Sequence, residues 1–452
     1  MSFARRLLPV LCLAFLFSGL NSHGKTALPS TPVQTAPSST TVPAQPATAQ
    51  AYSLPPAKLV KAIALGRIRH SLGLASSLWE LFLLWLLLAT RWAAGLAAWA
   101  ERLSRRRWLQ GLLFFAAVLI VTALAELPLE AIGHAVSRHY GVSVQGWCSW
   151  FDDLAKGLGV SVLFGAPILL FFNWIASVSP RRYWIFSWLV ALTLMILSVL
   201  GEPLLEPIFN HFEPLAKNHS ALVDRLESLV ARTGTRIPPD RMFLMKASEK
   251  SNGLNAYVAG LGSTKRIVVW DTTVGRIPDD EILFIFGHES GHYVLHHISK
   301  MITGAAIALF FVFWASASLA GWLARRFGSR WQLDGLEDGQ TPLASRQGFL
   351  VLLFVLSAAS FILQPVGNTF SRHFEHEADV YGQEAIHGLV ADPQKTVVSA
   401  FNHLGEAWLE DPNPNPIIEF WVYSHPSIQH RASFAAHYDP WANGGHGSFF
   451  DK

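Results

Sequence analysis

The chain alternates between long apolar stretches and shorter polar ones. Six apolar stretches come close to the ~20 residues with which a helix crosses a bilayer. They run Leu74–Ala100, Trp108–Ala125, Leu158–Val178, Tyr183–Leu200, Met301–Ala324 and Gly348–Leu363, the sixth being the shortest. An earlier stretch, Leu7–Leu20, has about 14 residues, short for a crossing helix. It follows Arg5 and Arg6 and runs into small polar residues. That order matches a secretory signal, so residues 1–23 are expected to be a cleaved signal peptide or, if retained, an anchor. Residues 24–57 are rich in Pro, Ser, Thr and Ala and almost uncharged. Such a segment cannot bury a core and reads as a disordered linker.

Composition points the same way. Of the 452 residues 51% are hydrophobic and 15% charged, against about 25% charged in soluble domains, and mean hydropathy is +0.30. The lipid bilayer is therefore an expected partner. A net charge of +3 is too small to argue for nucleic acid, and none is expected. Of the two cysteines, Cys12 and Cys148, the first lies in the signal-like run, so no disulfide framework is expected. Chemistry has to come from histidines and carboxylates.

The arginines orient the spans. Arg102, Arg105, Arg106 and Arg107 separate the first two windows. Arg181 and Arg182 separate the third and fourth, and Arg325, Arg326, Arg330 and Arg346 the fifth and sixth. These are alternate loops, as the bias of Lys and Arg towards the cytoplasm requires. The expected architecture is a mostly α, multi-span membrane bundle carrying a small α+β domain split by a transmembrane hairpin. Residues 58–200 form a four-span membrane domain, 201–300 the first part of the α+β domain, 301–365 the hairpin, and 366–452 the second part with a C-terminal tail. Both parts of the split domain fall on the non-cytoplasmic side.

Within 201–300, "SALVDRLESLVARTG" (220–234) has helical periodicity ending at a glycine. "MFLMKA", "NAYVAGLG" and "RIVVWDTT" read as strands, the last two joined across "GSTK" as a hairpin. Pro278, Asp279, Asp280 and Glu281 mark a helix start, with proline first and acids in the first turn.

That helix carries "FGHESGHYVLHH", residues 286–297. His288 and His292 lie one turn apart on one face, and Glu289 sits beside them, placed to take a proton from a metal-bound water. This is the H-E-x-x-H pattern of zinc metallopeptidases. The bland alternative is an interfacial histidine cluster that includes His296 and His297. A catalytic zinc needs a third protein ligand and an open position for water. Windows five and six form an antiparallel pair. His292 lies nine residues before it and Glu375 twelve after it, each roughly 13–18 Å beyond the apolar ends at 1.5 Å per helical residue. In "SRHFEHEADVYG" (371–382), Glu375 and Asp379 again share a face. Glu375 is the expected third ligand, and Asp379 the acid that holds a ligand histidine's other nitrogen. His376 and Glu377 compete for the ligand role, although Glu377 faces away from Asp379.

The blocks "GHESGH", "SRHFEHEAD", "LNAYVAGLGSTKRIVVWDTT", "GEPLLEPIFNHFEPL" and "YSHPSIQHR" resemble, in order, those of the CAAX prenyl endopeptidases, integral-membrane zinc metallopeptidases. "YSLPPAKLVKAIALGRIRH" and "YGVSVQGWCSWFDDLAKGLG" resemble that family's N-terminal membrane region, so the likeness covers about residues 52–436. It implies one Zn²⁺ per chain on His288, His292 and Glu375, Glu289 as general base, and Asp379 as orienting acid. It further implies His425 as the residue that steadies the tetrahedral intermediate. Asn255 and Ala256 match the edge strand that holds the substrate backbone. Arg431, taken as substrate-binding, and Arg372 match motif arginines.

The likeness has a limit. Eukaryotic members carry an ordinary first span and a cytosol-facing zinc site, whereas here a signal-like run and basic loops place the site outside. The expected function is peptide-bond hydrolysis on membrane-associated or misfolded polypeptides. The rival is a non-catalytic membrane metal carrier using the same His/Glu cluster, for which the carboxylate of Glu289 would have no use.

Overall fold

The computed structural model describes residues 51–260, 262–333, 342–442 and 444–450. The signal-like segment 1–23 and residues 24–50 of the expected linker lie outside the described residues. The remainder of that linker is packed structure. Tyr52 is fully buried and its hydroxyl donates to the Glu410 carbonyl at 3.0 Å. Helix α1 then begins at Pro56, whose missing N–H costs nothing in a first turn.

The membrane half contains α1 (Pro56–Ala89), α2 (Trp92–Leu103), α3 (Arg107–His139), α4 (Trp147–Val160), α5 (Ala166–Val178) and α6 (Tyr183–Leu205). A π-helical turn, Ser161–Gly165, joins α4 to α5, so the two form one span. The split domain follows: β1 (Phe212–Pro214), α7 (Ser220–Thr233), β2 (Met242–Met245), β3 (Ala256–Ala259), β4 (Arg266–Trp270) and α8 (Asp279–Val294). The hairpin is α9 (His297–Trp331) and α10 (Arg346–Ala385). It leads into α11 (Pro393–Trp408), α12 (Pro416–Val422) and α13 (Ile428–His437).

Six described helices are long and apolar enough to cross a membrane, and each contains most of one expected window. The first window differs in detail. Leu74–Ala100 is two helices, because Arg91 adopts a left-handed φ of 63° and ends α1. Arg91 is exposed there, and α2 follows as a short helix with exposed Trp92 and Trp99. At 34 residues, α1 is about 50 Å long, well beyond a ~30 Å hydrocarbon core. Its first turns pack into the split domain, where Ala62 and Leu65 join Leu226, Phe284 and Phe401 in one buried cluster. Arg69, still in that half, donates to the Trp408 carbonyl at 2.9 Å.

The sheet has the order β1-β2-β4-β3, with β2 and β4 parallel and the outer pairs antiparallel. The β3–β4 hairpin forms as its sequence predicts, whereas β1, three residues ending in proline, carries no strand signal. Helix α7 ends at Gly234, which takes the left-handed φ of 69° that a C-cap glycine supplies without steric cost. The same structure that gathers α8, α7 and the sheet around one core puts Arg102–Arg107, Arg181, Arg182, Arg325, Arg326, Arg330 and Arg346 towards the other end of the spans. There Arg346, the first residue of α10, bonds Glu101 of α2 and Gln110 of α3.

Candidate metal and active site

Helix α8 is buried on almost all sides, which is why its sequence is apolar all round apart from its histidines and acids. Its first turn is fixed by an ion pair and a hydrogen bond: Asp280 meets Arg225 at 2.5 Å, and buried Glu281 accepts from Ser399 Oγ at 2.6 Å. Its last turns cross α10 at very short range. A Cβ placed on Gly382 would lie 2.7 Å from the His288 nitrogen, and one on Gly287 would lie 3.2 Å from Gly382 Cα. A Cβ on Gly291 would meet Tyr381 at 3.1 Å. Small residues at such a crossing let two backbones approach until their side chains meet across it. The glycines inside and beside the H-E-x-x-H motif therefore set the distance between the two halves of the site.

At that crossing His288, His292 and Glu375 each present an atom, all within 4.8 Å of one another. The two imidazole Nε2 atoms are 3.2 Å apart. Glu375 reaches them at 3.3 Å from His288 and 3.5 Å from His292. All three side chains are buried, Glu375 being 2% exposed. Its Oε2 atom accepts no hydrogen bond, a costly condition for a buried carboxylate. Two imidazoles, one carboxylate and an unsatisfied oxygen facing them form a donor set that fits a divalent cation and leaves room for a fourth ligand.

Around these three, Asp379 Oδ1 lies 2.9 Å from His288 Nδ1. Asp379 is held in turn by Arg431, whose Nε and Nη2 donate to it at 2.8 and 2.6 Å. Arg431 thus stands behind the ligand group, 3.7 Å from Glu375, and not at the strand edge with Asn255 and Ala256. His425 Nε2 is 3.2 Å from Glu375 Oε1, and its Nδ1 meets Ser424 Oγ at 2.9 Å. Arg372 fixes the segment before His425 by donating to the Tyr423 carbonyl at 2.6 Å. His376 stacks edge-on against Phe434, away from the group. Glu377 meets His297 at 3.0 Å.

The electrostatics follow from burial. Glu289 is pushed up to about 7, first by burial and then by the charge of Glu375. Burial alone would lower His288, but the hydrogen bond to Asp379 and the charge of Glu375 reverse this and raise it to about 10. His292, whose burial meets weaker compensation, falls to about 3. The two acids thus draw positive charge into the pocket on the His288 side.

Strand β3 forms the free edge of the sheet beside Glu289. The Trp270 N–H donates to the Asn255 carbonyl and the Asn255 N–H goes to Thr273 Oγ1, so the backbone groups of Ala256 and Val258 face outward. The Val258 amide serves Glu289, and its carbonyl accepts from Tyr293 Oη at 3.3 Å. Ala256 lies at the other end of that edge. Sequence reasoning missed two contributors: the glycines at the α8–α10 crossing, and His297, whose Nδ1 lies 3.1 Å from His292 Nδ1. Gly287 and Gly291, one turn apart beside the two histidines, were the legible signal for the first.

Comparison with known proteins gives the same picture. The pattern of "Peptidase family M48" matches residues 216–439, and that of "CAAX prenyl protease N-terminal, five membrane helices" matches 38–211. A Bacillus subtilis (strain 168) protein named "Uncharacterized metalloprotease YhfN" is 31% identical over 384 residues, covering 84% of this chain and 86% of that one. CAAX prenyl protease 1 of Saccharomyces cerevisiae is 28% identical over 338 residues, 71% of each chain. The crystal structure of S. mikatae Ste24p superimposes with a TM-score of 0.73 at 24% identity, over 87% of this chain and 91% of that one. The chain belongs to peptidase family M48 and is an integral-membrane metallopeptidase of the CAAX prenyl endopeptidase family, hydrolysing peptide bonds.

Proposed function

We propose that this enzyme cuts membrane-associated or misfolded polypeptides with one zinc ion held by His288, His292 and Glu375, on the non-cytoplasmic side of its membrane. The observation that carries this reading is the closure of the ligand group from both ends of the hairpin, with Glu375 bearing a buried, unsatisfied oxygen. When bound there, zinc supplies Lewis acidity towards a carbonyl and makes its water acidic enough to lose a proton near pH 7. The other steps belong to the chain. Glu289, raised to about 7, takes the proton from the attacking water and returns it to the leaving amine. An extended peptide adds to β3 beside Asn255, gaining hydrogen bonds to the Ala256 backbone. His425, beside Glu375, donates to the developing oxyanion, and Asp379 with Arg431 keeps His288 oriented.

Two experiments test this. Glu289→Gln should keep zinc while peptide cleavage falls by roughly 10²–10⁴-fold. Wild-type protein that binds zinc yet cleaves no peptide would instead favour a metal carrier. The sidedness rests on the arginine loops lying at the opposite end of the spans from the site. A tag beside Lys452 should be open to added protease on spheroplasts. Protection there would reverse the topology and restore a cytosolic, prenylated substrate of the kind that the name of the yeast relative implies.

A further inference from the structure

The two imidazoles of the proposed ligand group are tethered differently. His288 leans directly on Asp379. His292 leans on His297 Nδ1 at 3.1 Å, and His297 Nε2 continues to Glu377 Oε2 at 3.0 Å. The chain is bent to achieve this. On a continuous helix, residue 297 would stand five positions beyond 292, about 140° round the axis and 7.5 Å along it, out of reach. Instead α8 ends at Val294, and His296 takes a left-handed φ of 58°. A non-glycine residue rarely adopts that conformation. It starts α9 with the His297 ring turned back under His292. His297 is fully buried and stacked on Phe374, the residue preceding the ligand Glu375, with ring centres 4.7 Å apart.

The hydrogen positions are then constrained in one direction. With His292 Nε2 turned to the ligand group, Nδ1 carries the hydrogen and donates to His297 Nδ1. His297 therefore carries its own hydrogen on Nε2 and donates it to Glu377. We infer that His297 and Glu377 are positioning residues for the metal: a two-step tether that fixes the tautomer and orientation of His292, as Asp379 does for His288. This inference rests on the proposed zinc site. A ligand imidazole bonded at its second nitrogen to a carboxylate, directly or through another group, is a better and less mobile donor.

The test uses the full chain in detergent or nanodiscs, loaded with Zn²⁺ and titrated with a chromogenic chelator. Glu377→Gln is the first variant, because the side chain is partly exposed and the change keeps its volume. His297→Gln is the second. Either should lower zinc affinity by about 10–100-fold and shift the visible spectrum of the Co²⁺-loaded protein, with thermal melting of the metal-free protein held. Glu377→Asp should recover part of the loss, and His373→Gln, at an exposed neighbour of Glu377, should change nothing. If His297→Gln fails to fold, Glu377→Gln decides alone. Unchanged zinc affinity and an unchanged cobalt spectrum in Glu377→Gln would overturn the tether while leaving the zinc site standing. Wild-type protein that binds no zinc would overturn both.

Discussion

Spans α6 and α10 are nearly matched in apolarity, with mean hydropathies of 2.1 and 2.3 over their best windows, yet they live in different surroundings. Only 17% of the α6 window is buried inside the protein, against 56% for α10. Along α6, Phe186, Leu189 and Leu197 are exposed, and the bilayer has to cover them. Along α10, Phe349 to Leu353 is an unbroken buried run, and the helix continues past the apolar part to Tyr381 and Ala385 in the other core. Hydropathy measures dislike of water and cannot distinguish lipid from protein as the alternative. What separates the two spans is the polar end of α10, which carries Glu375, Glu377 and Asp379. One helix is a wall. The other ties the membrane bundle to the site.

The largest test of that contrast is Glu375→Ala. It removes the single proposed donor that α10 supplies, so bound zinc should fall well below one per chain, and peptide cleavage should drop to the level of chelator-treated wild type. Retained stoichiometric zinc would show that α10 supplies no ligand. Next comes His425→Ala, which removes the proposed oxyanion donor and should lower kcat by about 10²–10³-fold with zinc content intact. Gly382→Ala tests the helix crossing. Its methyl would meet the His288 backbone at 2.7 Å, so the helices must separate. Overpacking of this kind costs about 1–3 kcal/mol, read as a lower melting temperature together with weaker zinc binding. A variant that melts normally and holds zinc as wild type does would show that the crossing has slack.

Much of this was legible because its physics is periodic. Histidines four apart, acids four apart and apolar runs of span length each have a fixed helical consequence, and the hairpin between them sets their heights. What escaped reading depended on breaks in that periodicity. Arg91 splits the first window through one left-handed residue, and a hydropathy average passes over it. His296 does the same between α8 and α9, so His297 looked like part of an interfacial cluster although it is fully buried. The end of the expected linker was misleading for a related reason. Tyr52 and Leu54 are isolated apolar residues, and only the tertiary fold supplies Glu410 and Gln429 to bond Tyr52 and a buried cluster to take Leu54. Strand β1 is three residues long and exists because β2 offers an edge.

The smallest expected effect closes the comparison. Leu197→Ala on α6 and Leu353→Ala on α10 delete the same atoms, but Leu197 is 54% exposed and Leu353 2%. At Leu353 neighbouring side chains lose their contacts and a cavity is left, which should cost about 2–5 kcal/mol. At Leu197 acyl chains flow into the vacated space, and because lipid is as apolar as leucine the loss should stay within about 0.5 kcal/mol. Thermal unfolding of both variants in nanodiscs of one composition measures the gap. A loss at Leu197 approaching that at Leu353 would mean that protein, not lipid, covers the outer face of α6, and the two spans would then differ in partner rather than in solvent.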